Sequence, residues 1–461
     1  MRLLLMLGLG SLIFCIQLAA QEKSFDSSRR IHRIQLQGNK RTRDFIVYRE
    51  VVLKVGDKVT DHELAEKMEL SRQLLMNTAL FIEVKITSHK TDSIIDIQVI
   101  LKERWYFFPL PYFKLIDRNF NQWLVEQNAS LDRVNYGLKF IQNNTTGRND
   151  NLDIWLISGY TQQVTLRYNL PFIDKKLTKG FSIGYLYATQ KELNYATADN
   201  KQQFLRRDQI MKKTMRAEIA YSWRPDNLQR HFLRIGYNDQ EISDSILKIN
   251  PSYFPSSLKR FRYPDFSYQF KYYKADYIHY PLKGWMLDIG IMKRGLDAIT
   301  HLLQANIRAV YVKPLAPKTF LHLEGFAAAR TPVNDNFFDQ RLFGYGYFNL
   351  RGLEYNVVDG HLGVALKTTV QQQVGSIILR NPFRSKTHDK IPFRFFLKAY
   401  GDIGYAANRF AISSNTLNNT LLKTYGIGLD IVSIYDFVFK IEYSFNQLGR
   451  EGVYLQSRNE F

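Results

Sequence analysis

The chain from Trp105 onward is made of short segments in which apolar and polar residues alternate one by one. This period of two predicts β-strands with one apolar and one polar face, because successive side chains of a strand point to opposite sides. In the clearest segment, Phe437, Phe439, Ile441, Tyr443 and Phe445 alternate with Lys440, Glu442, Ser444 and Asn446. We count about sixteen such segments, beginning near residues 106, 133, 150, 161, 179, 212, 230, 263, 284, 301, 318, 360, 392, 419, 434 and 451.

Two architectures fit this alternation, a soluble β-sandwich and a transmembrane β-barrel. The aromatic content favours the barrel, since 28 Tyr and 32 Phe are many for a soluble protein. After residue 20 the sequence has no apolar run long enough for a transmembrane helix. A lipid-facing Lys or Arg near the bilayer midplane costs about 2 to 4 kcal/mol. We therefore expect the charged side of each strand to face the barrel lumen.

Residues 1–20 have the pattern of a secretory signal peptide. A Met-Arg start precedes an apolar run from Leu3 to Ile16, and small residues follow before the sequence turns polar. The alternatives are an anchoring helix, since the stretch could nearly span a bilayer, and a lipoprotein site at Cys15, although the bulky Phe14 precedes it. Cys15 is the one cysteine of the chain, so removal of the signal leaves neither disulfide nor thiol chemistry.

The net charge of +20 calls for an anionic partner or a generally solvated basic surface. Nucleic acid is an unlikely partner because a secreted chain seldom meets it. Outer-membrane lipids, above all the phosphates of lipopolysaccharide, are the expected counter-charge.

Residues 30–103 read as a small independent α/β domain with the order β-α-α-β-β. Ile31–Gln37 alternates as a strand, and a short helical segment follows. Thr60 with Glu63 three residues later predicts a capping box at the start of the second helix. Two further strands then close the domain.

Long polar links interrupt the barrel pattern at 189–209 and 239–262, and we expect them to be extracellular loops. A third long link runs over 330–360. The third is the most unusual, because a hairpin needs only about two to five residues. It is rich in glycine and aromatic residues, and Arg351 is the one charged side chain between Arg341 and Glu354. If the loop packs inward, Arg351 must find an acceptor. The alternative is an exposed loop tip whose arginine contacts only water.

The N-terminal domain resembles a POTRA domain, the periplasmic unit of the BamA-like outer-membrane superfamily. The resemblance rests on Ile34–Asn39, on Gly56-Asp57, on Ala79–Val84 and on the closing Glu103-Arg104. It implies that the domain binds unfolded client segments by strand addition to an exposed edge. A domain that acts only as a plug or spacer is the alternative.

The loop at 330–360 resembles the sixth extracellular loop of the same superfamily, which lies between the eleventh and twelfth strands and folds into the barrel. That loop carries a Val-Arg-Gly-Phe/Tyr motif, to which Arg351 and Gly352 correspond, whereas Leu350 and Leu353 replace the flanking residues. The resemblance implies an acidic partner for the arginine on the thirteenth strand in an Asp-x-Gly context, and Asp402 stands in that context. The implied fold is a 16-stranded transmembrane antiparallel barrel, residues 105–461, preceded by one periplasmic POTRA domain.

Strand parity agrees that Asp402 faces the lumen. A second acidic partner is expected on the twelfth strand, but 364–374 offers only Lys367 and glutamines. Asp402 could instead pair with Lys398 or Arg394. The residues that parity assigns to the lipid side of this strand are Phe393, Phe395, Leu397 and Ala399.

The end of the chain carries two further expectations from the resemblance. Phe461, a terminal aromatic, belongs to the signal by which barrels are delivered for insertion. The first and last strands, within 106–127 and 451–461, are expected to meet in a weak seam, since an unpaired edge is a template for a client strand.

Catalytic motifs are not found in the sequence, nor are clusters of Cys or His with metal spacing, so we expect no enzyme, cofactor or metal. The first functional hypothesis is an outer-membrane factor that inserts, assembles or translocates exported proteins without nucleotide. Its partners would be unfolded protein clients, outer-membrane lipids and periplasmic accessory proteins. The second is a plugged transport or structural barrel for solutes or lipids.

Overall fold

A computed structural model describes residues 28–115, 134–346, 348–380, 390–434 and 436–458. The signal-peptide prediction and Phe461 lie outside these residues. In the described part of the chain, no helix is both long and apolar enough to cross a membrane.

The N-terminal domain is a four-stranded sheet covered by two helices. Its elements are β1 (Arg29–Gln37), α1 (Asp44–Glu50), β2 (Lys58–Val59), α2 (Asp61–Met76), β3 (Phe81–Lys90) and β4 (Ile94–Glu103). The sheet order is β2-β1-β4-β3, with β1 parallel to β4. The capping box predicted at Thr60 and Glu63 is confirmed at the start of α2. The sequence interpretation missed only the two-residue strand β2.

The rest of the chain forms one antiparallel sheet of 16 strands, which confirms the predicted fold class. In chain order these strands are β5 (Phe107–Leu115), β6 (Val134–Gln142), β7 (Asn151–Gly159), β8 (Thr161–Leu170), β9 (Lys179–Gln190), β12 (Lys212–Trp223), β13 (Gln229–Ile242), β14 (Arg260–Ala275), β15 (Gly284–Arg294), β16 (Leu302–Ala316), β17 (Thr319–Thr331), β20 (Leu362–Arg380), β21 (Lys390–Ala407), β22 (Leu421–Val432), β23 (Val438–Asn446) and β24 (Glu451–Arg458). The sheet begins with β5 and ends with β24, and each strand pairs with its neighbours along the barrel.

The predicted starting points agree closely with these strands, and the largest shift places β23 at Val438 instead of 434. Pro109 and Pro111 lie in β5, at one end of the sheet, where proline is tolerated because one side of the strand need not donate to a ladder.

The predicted parity of the strands is confirmed on β21. From Phe396 to Ala406 the even-numbered residues are buried on the lumen side, whereas the odd-numbered residues, such as Leu397 and Ile403, are exposed on the outer side. Apolar side chains therefore cover the outside of the barrel, and polar and charged side chains fill the lumen.

The loops hold additional structure that the alternation did not predict. The link at 189–209 contains a hairpin of β10 (Glu192–Ala198) and β11 (Lys201–Arg206). The link predicted at 239–262 is shorter than expected, because β13 and β14 continue their ladder to Glu241 and Arg260. The remaining elements are α3 (Asp244–Ile249), α4 (Phe337–Gln340), β18 (Arg341–Phe343) and β19 (Val358–Asp359).

Candidate functional site

The link between β17 and β20, residues 332–361, folds into the barrel, and we call it the inward loop. Its apolar side chains pack on the inner wall in one buried cluster. Leu350 and Leu353, which replace the flanking residues of the expected motif, are both buried in it. This cluster places Arg351 inside the lumen. Its main members are Ala328, Leu342, Phe343, Phe348, Leu350, Leu353, Val358, Ala365, Ala406 and Leu422.

Arg351 contacts Asp402 on β21 through several hydrogen bonds. Its Nε donates to Asp402 Oδ2 at 2.9 Å, its backbone N–H donates to the same oxygen at 3.1 Å, and its Nη2 donates to Oδ1. The Arg351 side chain is 12% exposed and that of Asp402 is 0% exposed. The fold thus brings together Arg351 of the loop and Asp402 of the thirteenth strand, the two residues singled out in the sequence.

Neutral groups occupy the place where a second acidic partner was expected. Arg351 Nη1 donates to the Thr369 hydroxyl of β20 at 2.9 Å. The guanidinium also lies 3.9 Å from the centre of the Tyr400 ring, a cation–π contact. The Thr369 hydroxyl therefore stands on the twelfth strand, where a carboxylate was expected, and the Tyr400 ring adds a contact from the thirteenth.

Gly352 is required by the close packing of the loop tip. Its φ is +80°, and a Cβ atom at this position would lie 3.0 Å from Ser444 Cβ. Its carbonyl accepts a 2.7 Å hydrogen bond from Asn446 Nδ2 at the end of β23. A side chain here would push the tip away from the wall, so the glycine keeps Arg351 within reach of its partner.

The tip continues to the last strand of the barrel. Gln456 Nε2 of β24 donates to Glu354 Oε1 at 3.2 Å, and the Tyr355 and Tyr454 rings lie 5.6 Å apart. The inward loop therefore contacts the strand that ends the sheet.

Sequence reasoning missed a second buried charge cluster below the loop. Lys398 Nζ of β21 lies 2.5 Å from Asp430 Oδ1 of β22 and 2.6 Å from Glu442 Oε1 of β23. All three side chains are almost fully buried. The alternative in which Lys398 pairs with Asp402 is therefore wrong. Strand parity places these residues on the lumen side, but only the register across three strands brings them together.

The β14–β15 turn, residues 276–283, also enters the lumen, from the opposite end to the inward loop. The Tyr280 hydroxyl lies 3.0 Å from Asp430 Oδ2 and 3.2 Å from Gln371 Oε1, and its ring packs on Phe396. Between this turn and the inward loop lies a polar cavity of about 370 Å³ lined by charges of both signs. The cavity is thus bounded by a folded segment at each end.

The β10–β11 hairpin covers the inward loop from outside. Asn200 lies at the tip of the hairpin. Its carbonyl oxygen accepts a hydrogen bond from the Val357 N–H, and its Oδ1 accepts one from the Leu417 N–H, both at 2.9 Å. The hairpin therefore connects the inward loop with the β21–β22 loop.

The N-terminal domain docks on the other end of the barrel through buried ion pairs. The Glu50 carboxylate of α1 accepts from Arg224 Nη1 at 2.6 Å and from Nη2 at 2.9 Å. Arg104, at the end of the domain, donates to both oxygens of Asp436 at 2.7 and 3.1 Å. Asn77 accepts the Ile278 N–H at 3.0 Å, so the domain also contacts the β14–β15 turn.

An apolar contact completes this junction. Phe172, from the link between β8 and β9, is buried in the hydrophobic core of the N-terminal domain. The Arg49 guanidinium lies 4.9 Å from the centre of its ring. The domain and the barrel thus share one core at this point.

The N-terminal domain carries a surface groove of about 340 Å³ between α2 and β3. Leu64, Met68 and Ile86 line its floor, and β3 is the edge strand of the sheet. Charges of both signs stand on the rim. The hydrogen bond from Lys90 lowers the pKa of Asp61, and the hydrogen bond from Arg72 lowers the pKa of Glu69. Both carboxylates are therefore ionised at neutral pH.

The described residues contain no group of three or more His, Cys, Asp or Glu side chains arranged to hold a metal ion.

Comparisons with known proteins agree with this architecture. Residues 29–104 match the POTRA family, described as a surface antigen variable number repeat. BamA from Haemophilus ducreyi lacking POTRA domains 1–3 is 16% identical, with a TM-score of 0.51 over 93% of this chain and 84% of that chain. CdiB from Escherichia coli is 11% identical, with a TM-score of 0.52 over 93% of this chain and 75% of that chain.

At these identities the structural likeness establishes the fold alone. No curated protein sequence matches the chain. The N-terminal domain is thus a POTRA domain, and the barrel has the fold of BamA and CdiB.

Proposed function

We propose that this BamA-like outer-membrane barrel, with its single periplasmic POTRA domain, receives unfolded exported proteins and passes them into or across the outer membrane. The observation that carries the proposal is the groove beside the edge strand β3 of the POTRA domain. Neither nucleotide nor cofactor takes part. Outer-membrane lipids, lipopolysaccharide and periplasmic accessory proteins are proposed as further partners.

The groove suits an extended polypeptide. A client strand added to the edge of β3 would form main-chain hydrogen bonds there, and alternate side chains would enter the groove. Leu64, Met68 and Ile86 would contact apolar side chains, and the mixed charges of the rim would accept polar ones. Main-chain pairing does not depend on client sequence, so such a site takes many clients.

The position of the POTRA domain links this receptor to the barrel. Glu50 and Arg104 join it to the periplasmic turns, so a client bound at β3 is held beside the barrel mouth. We propose that the client then pairs with the edge of β5 or β24, the two strands that end the sheet. The contact of Glu354 with Gln456 ties the inward loop to the same place.

Plugged transport of solutes or lipids is the second candidate. The observation in its favour is the polar cavity inside the barrel. Transport would require the β14–β15 turn and the inward loop to leave the lumen. It would also give the groove of the POTRA domain no role.

The experiment that tests the proposal fills the groove in cells depleted of the native protein. Ser88→Tyr puts a ring into the groove, and His89→Tyr puts the same ring on the other face of β3. We expect quantitative proteomics of the outer membrane to show loss of client proteins with Ser88→Tyr, while His89→Tyr behaves like the native chain.

The number of outer-membrane proteins that are lost distinguishes two forms of the proposed function. Loss of many barrel proteins indicates a general insertase, and loss of one or a few indicates a dedicated assembly or secretion factor. If depletion of the whole protein left the outer-membrane proteins unchanged, the assembly proposal would fail and transport would take its place.

A further inference from the structure

Two exposed arginines stand at the extracellular end of β14, on the outside of the barrel. The outward positions from Pro264 to Tyr272 are proline or aromatic residues, and the next two outward positions are Arg262 and Arg260. Their side chains are 51% and 49% exposed. The apolar stretch 264–272 is close to the roughly 9 to 11 residues that a tilted strand needs to cross the hydrocarbon core. The arginines therefore lie at the level of the outer-leaflet headgroups.

Neighbouring strands also end their apolar outer faces with charges. The ladder pairs Arg260 with Glu241 and Arg262 with Asp239 of β13, and Glu241 with Lys213 of β12. On the other side, β15 ends its outer face at Lys293, which stands opposite Phe266, four positions along β14 from Arg262, and contacts His301. We call this surface the outer basic patch, formed by Lys213, Arg260, Arg262 and Lys293, with Asp239 and Glu241 between them.

The arrangement of the two guanidinium groups suits a ligand with two negative charges. Asp239 accepts from Arg260 Nε at 2.8 Å and lies 3.3 Å from Arg262 Nε, so one carboxylate holds two guanidinium groups side by side. Asp297 lines the groove beside the arginines, so four cations stand against three carboxylates, which leaves an excess of one positive charge. A guanidinium presents a planar fork that matches phosphate oxygens. Asp239 takes the fork of Arg260 through both Nε and Nη2, whereas it lies beside Nε of Arg262, whose side chain is 51% exposed.

A groove beside the arginines provides room for a headgroup. It has a volume of about 370 Å³ and runs between Arg260, Arg262 and the β15–β16 loop, where Asp297, Ile299 and Thr300 line it. The Asp297 carboxylate accepts the N–H groups of Ile299 and Thr300. Phe266 and Ile291, both exposed, lie on the lipid-facing surface below. A ligand with a phosphorylated sugar in the groove could therefore lay its acyl chains on this surface.

We infer that the outer basic patch binds the phosphorylated headgroup of an outer-leaflet glycolipid, such as the lipid A part of lipopolysaccharide. This inference rests on the proposed outer-membrane placement, and it does not depend on the identity of the protein client. The bound lipid fixes the height and orientation of this side of the barrel in the outer leaflet.

The test uses the purified full-length protein and native mass spectrometry with diphosphoryl lipid A. We expect the double variant Arg260→Gln/Arg262→Gln to bind it about tenfold more weakly, because each cation near a charged lipid surface contributes measurably to binding. The control, Lys201→Gln/Arg207→Gln, removes two exposed cations of the β10–β11 hairpin and should bind as the native protein does. Heat-modifiable migration on gels verifies that each variant is folded.

Three comparisons decide the outcome. Weaker binding of monophosphoryl lipid A by the native protein, together with the loss in the double variant, supports the inference. Equal binding by native protein and double variant overturns it. Displacement of lipid A by inorganic phosphate at equal concentration also overturns it, since that result describes a free-anion site. None of these results depends on client loss in cells, so they separate this inference from the proposed function.

Discussion

Arg351 shows how a loop residue is fixed inside a barrel by groups from two neighbouring strands. Asp402 and Tyr400 come from β21, and Thr369 comes from β20. Because Asp402 is fully buried, it depends on Arg351 for compensation of its charge. A buried carboxylate that loses the guanidinium bound to it is costly, and this sets the expected effect of substitution at either residue.

The first prediction concerns Asp402→Ala, which leaves the Arg351 guanidinium buried beside a ring and a hydroxyl. We expect a loss of about 3 to 5 kcal/mol in the free energy of unfolding, measured as a lower unfolding midpoint of the purified protein in denaturant. Asp335→Asn removes an exposed carboxylate of the same loop and should leave the midpoint unchanged. An unchanged midpoint for Asp402→Ala would mean that the loop is not held by this ion pair.

The second prediction concerns Lys398, whose ammonium separates two buried carboxylates. Lys398→Met leaves Asp430 and Glu442 without the ammonium that both contact, and we expect a cost of about 3 to 5 kcal/mol in the free energy of unfolding. Adding Asp430→Asn and Glu442→Gln to Lys398→Met removes the uncompensated charge and should recover most of the loss. Equal stability of the single and triple variants would contradict this account.

At the scale of elements, the lumen is closed by two segments in series, the inward loop and the β14–β15 turn. Tyr280 is the centre of the second closure, since its hydroxyl and ring contact the strands on the far wall. The two segments enter from opposite ends, and residues of both line the polar cavity. We therefore expect either segment alone to block ion flow.

The third prediction follows from this series arrangement. We expect planar-bilayer conductance to stay near zero for Tyr280→Ala, and also for a variant in which a short Gly-Ser linker replaces 344–357. The combination of both changes should conduct, because both closures are then removed. The control variant combines the loop replacement with Lys175→Ala, a change on an exposed periplasmic turn, instead of Tyr280→Ala. Large conductance from the loop replacement alone would show that the turn does not close the barrel.

Features that depend on neighbouring residues were predicted from the sequence, whereas features that depend on residues far apart in the chain were not. Alternation is local, so the strands of the barrel, their approximate starts and the lumen-facing position of Asp402 followed from the sequence. The Lys398 cluster did not, because it depends on the register of three strands that the sequence leaves open. Tyr280 was missed because an aromatic residue in a short link is equally typical of a membrane interface.

At the scale of the whole molecule, the POTRA domain and the barrel are joined by contacts between residues far apart in sequence. Arg104 and Asp436 are 332 positions apart, and Glu50 and Arg224 are 174 positions apart. No local sequence pattern predicts such pairs. They determine how rigidly the groove beside β3 is held at the barrel mouth.

The fourth prediction is that Glu50→Gln with Asp436→Asn loosens this junction. Both changes leave a buried arginine without its carboxylate, so we expect faster hydrogen exchange in α1 and in the periplasmic turns of the barrel. The barrel strands themselves should exchange as in the native chain. Asp92→Asn with Asp208→Asn would serve as the control, since both carboxylates are exposed and lie outside α1 and the periplasmic turns. Unaltered exchange at the junction would show that other contacts hold the domain.

Phe172 has a consequence for how the protein is divided into folding units. The family match ends at residue 104, yet a side chain of the barrel completes the core on which the matched segment depends. A fragment cut at that boundary would present a hydrophobic pit where the phenylalanine belongs. We therefore expect the POTRA domain to reach its full stability only after the β8–β9 link has formed, so that the folded barrel stabilises the domain that docks on it.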